Sequence, residues 1–382
     1  MKTQAAVLWG RGQDWRIEEI DLDPPKEHEV LVKWAAAGLC HSDQHLRDSD
    51  MGSPESARQA SGLPPLFPLI GGHEGAGTVL EVGAGVTGLA PGDHVAASFF
   101  PACGRCTMCV TGHSNLCDLG AATFNIGQIS DGTSRHHLNG NDINFMAKVG
   151  TFAGHSVVHE ASLVKVDRDL PLPVVALVSC GVTTGWGSAV YRAEVKPGET
   201  VVVVGIGGVG INAVQGARMA GARNVIAVDP VEFKQKSALD LGATHAASSM
   251  EEALPLVTSL TRGQMADAVI LTPGVMYGHL MAPALSLTGK GGTCVVTAVA
   301  PQSQQECSIN LFELGMWQKE VRGVIFGGGN PRFDIPNLLA LYKSGQLKLD
   351  EIITRTYPLE QINQGYQDML DGVNIRGVVV MD

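Results

Sequence analysis

The chain of 382 residues is 45% apolar and 17% charged, enough for two domains that each hold a core. A net charge of −11 with no basic run argues against nucleic acid and anionic membrane as partners. Met1 to Trp9 runs straight into a strand-like pattern with no signal-peptide character, so a soluble, cytoplasmic protein is expected. Between Asp169 and Arg192 no charge occurs, but two prolines and several Gly, Ser and Thr make that stretch a poor membrane helix and a better soluble interior segment.

Up to about Asp93 the chain alternates apolar and polar residues in short runs such as Glu29-Val-Leu-Val-Lys33 and Ala76-Gly-Thr-Val-Leu-Glu-Val82. Gly and Pro clusters separate the runs, which predicts a β-rich, barrel-like region. Three places in and beyond it carry metal-binding chemistry. Cys40 lies in Gly38-Leu-Cys-His-Ser-Asp-Gln-His45, His73 in Gly72-His-Glu-Gly75, and Cys180 directly follows Ser179. A catalytic zinc takes three protein ligands and keeps a fourth position open. Two thiolates and one neutral imidazole leave Zn²⁺ with no net charge, so an alcohol could bind there and shed its proton. Taken singly, each cysteine also fits a small buried apolar group. Asp48 to Pro68 turns polar and rich in Pro, Gly and Ser, and is read as a long loop near the mouth of that site.

Cys103, Cys106, Cys109 and Cys117 form a C-x2-C-x2-C-x7-C array. Four thiolates on one short loop close a tetrahedron with no open position, the pattern of a structural zinc. Iron–sulfur binding uses related spacings, but the wide last gap and the absence of Pro after Cys117 favour zinc over it. Disulfides are the plainer alternative. His155 and His159 share one face of a predicted strand and are read, with His136 and His137, as ordinary core or surface histidines.

The second organising stretch begins at Glu199-Thr-Val-Val-Val-Val-Gly205, a fully apolar strand. Gly205-Ile-Gly207-Gly208-Val209-Gly210 then opens a helix, and Asp229 ends the next strand nineteen residues after Gly210. Strand, glycines, helix, strand and terminal acid fall at the offsets of a dinucleotide-binding unit. Gly205 permits the tight turn, Gly207 lets the backbone approach a pyrophosphate, and Gly210 lets the helix pack close. Asp229 would accept from the adenosine ribose hydroxyls and repel a 2′-phosphate, so NAD is favoured over NADP. Buried-strand runs follow at Asp267 to Thr272 and Gly292 to Ala298, and a helical periodicity from Ile335 to Ser344. Gly377 to Met381 reads as a strand returning to the first domain.

These motifs together resemble the zinc-containing medium-chain alcohol dehydrogenases over essentially the whole chain. The wording of Phe100-Pro-Ala-Cys-Gly-Arg-Cys106, Asn115-Leu-Cys-Asp-Leu-Gly-Ala121 and Val228-Asp-Pro-Val-Glu-Phe-Lys234 is most similar to the actinobacterial nicotinoprotein, or nitrosodimethylaniline-dependent, branch. A Cys₂His catalytic set is the known one for alcohol dehydrogenases, so that part is borrowed from the family. The resemblance implies an α/β protein: a GroES-like catalytic domain at 1–181, a Rossmann domain with a doubly wound parallel sheet at 182–325, and a return to the catalytic domain at 326–382. It implies two zinc ions per chain, NAD held tightly through turnover, an alcohol substrate, an external electron acceptor such as mycofactocin, and a homodimer or homotetramer.

The resemblance also assigns roles. Ser42 would take the hydroxyl proton and His45 pass it on through the cofactor ribose, while Asp43 and Glu74 would stand behind or beside the metal. Thr184 would pack behind the nicotinamide, and His41, Lys234 and Arg376 would touch the cofactor, with a solvated surface charge as the alternative for Lys234 and Arg376. Phe99 is the candidate substrate wall, with a plain core aromatic as the alternative. Asp48 to Pro68 is longer than in liver-type members, and no arginine follows Cys117, which disfavours the glutathione conjugate of formaldehyde as substrate. Two alternatives remain open: an ordinary NAD-exchanging dehydrogenase, and a non-catalytic NAD-binding protein.

Overall fold

A computed structural model describes residues 1–48, 51, 55–122 and 127–381. The chain divides into two compact units, Met1–Cys180 with Asn330–Asp382, and Gly181–Gly329.

The first unit is β-rich. Its central strand, Glu29–Gly38, pairs antiparallel with Glu74–Val82, with His155–His159 and with Arg376–Val380. The last of these strands brings the end of the chain back beside Gly38. A second sheet is built around Lys2–Leu8, which pairs with Arg16–Leu22 on one side and Leu69–Ile70 on the other. The alternation read in the sequence becomes a core of Val30, Val32, Trp34, Val79 and Val95. Full burial of each such side chain contributes roughly 1.5–3 kcal/mol.

The segment Asp48 to Pro68 differs from the expected loop. It carries a helix at Glu55–Ala60, and the buried Arg58 guanidinium donates to Pro64 O at 3.0 and 2.7 Å, folding the segment back on itself. Residues 49, 50 and 52–54 lie outside the described residues. Composition hid this helix, because six residues are too few to show a 3.6-residue period. The helix near the C-terminus runs Pro331–Lys343, four residues ahead of the expected start. Asn330 caps it and Pro331 occupies its first turn, two starting signals that precede the apolar periodicity. Leu172–Arg192 is long and apolar enough to cross a membrane, yet 89% of it is buried, the packing of a core helix.

The second unit is a six-stranded parallel sheet. Its order is His245–Ala247, Asn224–Val228, Thr200–Val204, Ala266–Leu271, Thr288–Val296, Glu320–Gly323. Reading outward from the third position the strands run in both directions along the sheet, which is the doubly wound arrangement. The uninterrupted valines of Thr200–Val204 are all buried, as a strand covered on both faces requires. The order reverses beside Thr200–Val204, so the turn after Val204 sits at the switch point where such sheets bind ligands.

One buried group in the first unit is poorly matched to its surroundings. Lys148 is 1% exposed, its ammonium has no hydrogen-bond partner, and its nearest polar compensation is the Phe145 ring 5.0 Å away. Burial, with the Arg58 charge adding to it, pushes its pKa down to about 7. The folded value lies below the unfolded one, so the lysine costs stability fully below pH 7, and the cost fades as pH rises towards 10.5. Lys148→Met is therefore expected to stabilise the protein by roughly 2–4 kcal/mol at pH 6.5. The gain should shrink at pH 9.5, measured as the difference in unfolding midpoint between variant and parent. An equal gain at both pH values would mean that the amine is not the cause.

Candidate active site

The first strand of the site ends at Gly38, and Cys40 follows immediately before the helix His41–Asp48. His73 and Glu74 stand where the neighbouring strand begins, and Cys180 follows the helix Leu172–Leu177. Three distant parts of the sequence thus converge. The donor atoms of Cys40, His73, Glu74 and Cys180 all lie within 4.8 Å of one another, and all four residues are buried.

Glycines make the convergence possible. A Cβ on Gly38 would fall on the Glu74 carboxylate and 2.7 Å from Arg376 Nη2. At Gly72, with φ +85°, a Cβ would come within 2.6 Å of Phe152 N.

Around the donors runs a layer that fixes them. Asp43, fully buried, accepts from Gly72 N at 2.8 Å and lies 2.9 Å from His73 Nδ1. That second contact has the distance of an ion pair. With Nδ1 turned to Asp43, Nε2 is the nitrogen left for the thiols. Ser179 Oγ accepts from Gly75 N at 3.1 Å, and Thr151 Oγ1 donates to Glu74 O at 2.9 Å. Arg376 is 5% exposed and paired with Glu74, so it is no surface charge.

Electrostatics follow from this geometry. The Cys180 thiol donates to Cys40 and, against burial, holds Cys40 well below the usual thiol range with help from His73. The same bond, with burial, lifts Cys180 well above that range. Burial would lower His73, but the charges of Asp43 and Cys40 outweigh it and raise it well above the usual imidazole value. Burial pushes Glu74 up to about 7, opposed by Arg376. A divalent cation binding here would displace the protons held by Cys180 and His73, and zinc fits thiolates and imidazole together.

The proposed proton carriers lie on the same helix as the Cys40 boundary. Ser42 Oγ is 3.7 Å from Cys40 Sγ, and the His41 and His45 rings are 6.2 Å apart. Phe99 stands edge-on to His73 at 5.3 Å, which places an apolar wall beside the donors.

The four-cysteine lobe forms a second centre, with all four sulfurs within 4.8 Å. Cys103 to Cys109 and Cys106 to Cys117 are 3.9 and 3.8 Å apart. Disulfide sulfurs would be about 2.05 Å apart, whereas four Zn–S bonds of about 2.3 Å put sulfurs about 3.8 Å apart. Backbone N–H groups of Arg105 and Cys106 point at Cys103 Sγ at 3.4 and 3.3 Å, the support a thiolate needs.

In the second unit Gly205 adopts φ +91°, and a Cβ there would sit 2.7 Å from Pro273 Cα. Nothing lies within 4 Å of a Cβ on Gly207, so the turn faces open space that a pyrophosphate can fill. A Cβ on Gly210 would strike Gly205 O, the close helix–strand approach expected of that position. Gly208 and Val209 complete the turn into the helix Gly210–Met219. Asp229 is pinned from both sides, accepting from Ile206 N at 2.7 Å and Val231 N at 2.9 Å. Each oxygen keeps lone-pair capacity for a ribose hydroxyl. Lys234 is half-buried on Glu232–Asp240, and Thr184 is buried with an unpartnered hydroxyl on Thr183–Gly187.

With both donor sets and the glycine turn established, likeness to known proteins becomes informative. The profile of the alcohol dehydrogenase GroES-like domain matches residues 26–168, and that of the zinc-binding dehydrogenases matches 208–344. An NDMA-dependent alcohol dehydrogenase of Amycolatopsis methanolica is 50% identical over 380 residues, covering 100% of this chain and 99% of that one. The chain belongs to the zinc-dependent medium-chain alcohol dehydrogenases. It is thus an oxidoreductase acting on CH–OH groups. Alcohol dehydrogenase B of Mycobacterium tuberculosis is 48% identical over 379 residues, covering 99% of this chain and 98% of that one. Among solved structures, a zinc-binding-domain alcohol dehydrogenase of Burkholderia ambifaria superposes with TM-score 0.89 at 31% identity, over 100% and 99% of the two chains. Benzyl alcohol dehydrogenase of Acinetobacter calcoaceticus gives TM-score 0.89 at 28% identity over the full length of both.

Sequence reading placed Asp43 and Glu74 near the metal and quoted Ser179 only as the neighbour of Cys180, while Thr151 was passed over. Their types are common in cores, and only convergence in space marks them. Removing one lobe ligand, as in Cys106→Ser, is expected to lower zinc content from two to about one per chain and depress the unfolding midpoint. Elemental analysis of the purified variant reads the outcome, and two retained zinc ions would refute the four-cysteine site.

Proposed function

We propose that this enzyme oxidises an alcohol to an aldehyde or ketone using NAD that stays bound through turnover, an external acceptor reoxidising it. The carrying observation is the Cys40–His73–Cys180 cluster in a chain 50% identical, end to end, to a relative named for its dependence on NDMA. The acceptor is of the mycofactocin or NDMA-like class. When bound, zinc supplies Lewis-acid polarisation of the alcohol oxygen and NAD supplies the hydride acceptor.

The residues of the chain do the rest. Cys40, His73 and Cys180 hold the metal, with Glu74 beside them. Asp43 fixes the orientation of the His73 ring. Ser42 accepts the proton leaving the alcohol, and His45, three residues along the same helix, carries it towards solvent. Phe99 excludes water and favours an apolar substrate, in keeping with a structural relative named benzyl alcohol dehydrogenase. Asp229 receives the adenosine ribose, Gly205 to Gly210 cradle the pyrophosphate, and His41, Thr184, Lys234 and Arg376 complete the cofactor contacts.

The functional division assigned is 1–181 with 326–382 for catalysis and 182–325 for NAD. The enzyme works in the cytoplasm as a homodimer or homotetramer. Support for assembly is the exposure of apolar Leu311, Phe312 and Met316 on the helix Leu311–Met316 and of Val321 on the outermost strand, Glu320–Gly323.

Protein purified without added cofactor should develop reduced-nicotinamide absorbance and fluorescence on adding a primary alcohol, about one equivalent per chain. The signal should stay with the protein on gel filtration. If it appears only with added NAD, and NADH accumulates in bulk, the enzyme is an ordinary exchanging dehydrogenase. Ser42→Ala is expected to lower the rate of alcohol oxidation about 10²-fold or more while leaving zinc content at the parent level. An unchanged rate would remove Ser42 from the proton path.

A further inference from the structure

The helix Thr183–Gly187 is held against its neighbours backbone to backbone. A Cβ on Gly185 would lie 2.0 Å from Val209 O and 2.9 Å from Ala213 N, so the helix rests directly on the dinucleotide turn and on the helix that follows it. A Cβ on Gly187 would lie 2.5 Å from Gly327 O, and one on Gly327 would lie 2.8 Å from Thr184 O. Such close approach needs residues without side chains. With no ridge at Gly185 or Gly187 to lock into a groove, packing fixes how near the helix lies and leaves its rotation about its own axis to polar pins.

Those pins converge on Thr184. Its own hydroxyl is buried and has no partner among the described residues, so the side chain does not hold itself in place. Ser188 Oγ donates to Thr184 O at 2.7 Å. The single Ser188 proton is thereby used, and Thr297 Oγ1 donates to Ser188 Oγ at 3.0 Å. The first bond alone is commonplace, because a serine in a helix often reaches back four residues. The second is not local: it spans 109 residues and arrives from the carboxyl end of the strand Thr288–Val296. Ser188 is fully buried and opens a π-helical turn, Ser188–Arg192, a widening that recurs at functional sites. The bridge therefore ties the helix to the edge of the sheet at which doubly wound folds take their ligands.

We propose that Ser188 and Thr297 are positioning residues for the nicotinamide end of NAD, their hydroxyl bridge fixing the rotation of the helix that sets Thr184 behind the ring. The proposal rests on the reading of this turn and helix as the NAD site, and deepens it by naming a part of the chain that keeps the cofactor bound. A helix loose about its axis would have to be ordered by the cofactor on binding, at a cost in affinity, whereas a pinned one is ordered beforehand. Both hydroxyls act through Thr184.

The test loads the full-length protein, carrying its zinc, with NADH and follows the loss of bound-NADH fluorescence after dilution into excess NAD. Thr297→Val keeps the shape of the side chain and removes the hydroxyl, while Thr297→Ser keeps the hydroxyl. Thr297→Val should release NADH about 5-fold faster than the parent, the size of effect one neutral hydrogen bond gives. Thr297→Ser should release it at close to the parent rate. Ser188→Ala, which loses both bonds, should release it at least as fast as Thr297→Val. Parent-like release from Thr297→Val would overturn the proposal, even with a lowered unfolding midpoint, because the bridge would then be structural only. Equal acceleration by Thr297→Ser would overturn it too, by assigning the effect to packing. If the parent itself sheds NADH on gel filtration, the reading of a cofactor bound through turnover falls. The bridge is then judged by the dissociation constant of added NADH, where equal values for the parent and Thr297→Val overturn it.

Discussion

The structure of the first unit depends on the cost of placing charge away from water. Two thiols, an imidazole and a carboxylate share a buried volume within 4.8 Å, and each would lose several kcal/mol of hydration if left uncompensated. Asp43 offsets part of this by pairing with His73, and Arg376 offsets part by pairing with Glu74. The partners are themselves buried and need supports of their own, which Gly72 N supplies for Asp43. Such a chain of compensation accounts for features that otherwise look unrelated: glycine at 38, where any side chain would split the Glu74–Arg376 pair, and an arginine on the final strand.

Closing the sheet serves the same requirement. Arg376 reaches Glu74 because Arg376–Val380 pairs with Glu29–Gly38, placing Val378 opposite Gly38. The end of the chain is thus bound into the environment of residues near its beginning. The four-cysteine lobe works differently. Its sulfurs come from one short segment and take backbone N–H groups of that same segment, so it needs little from the rest of the unit.

The dinucleotide turn obeys steric constraints more than electrostatic ones. Gly205 must be glycine for its positive φ, Gly210 for the approach of the helix to Gly205 O, and Gly207 faces open space. All three were legible in the sequence, because strand, turn and helix are consecutive and the spacing alone carries the geometry. The same locality made the cysteine lobe legible. The helix at Glu55–Ala60 was not, since six residues give no readable period, and the early start at Pro331 was missed because the apolar pattern begins later than the cap.

By itself the sequence determined the donor types, the glycine turn, the strand runs and the family to which these belong, since each is written in adjacent residues. Tertiary structure decided which distant groups meet. It joined Cys40, His73 and Cys180 and turned Arg376 inward onto Glu74. The physical reason is that side-chain periodicity records which residues are buried, whereas the pairing of buried polar groups depends on strand register and helix placement across more than three hundred residues, such as the 302 that separate Glu74 from Arg376.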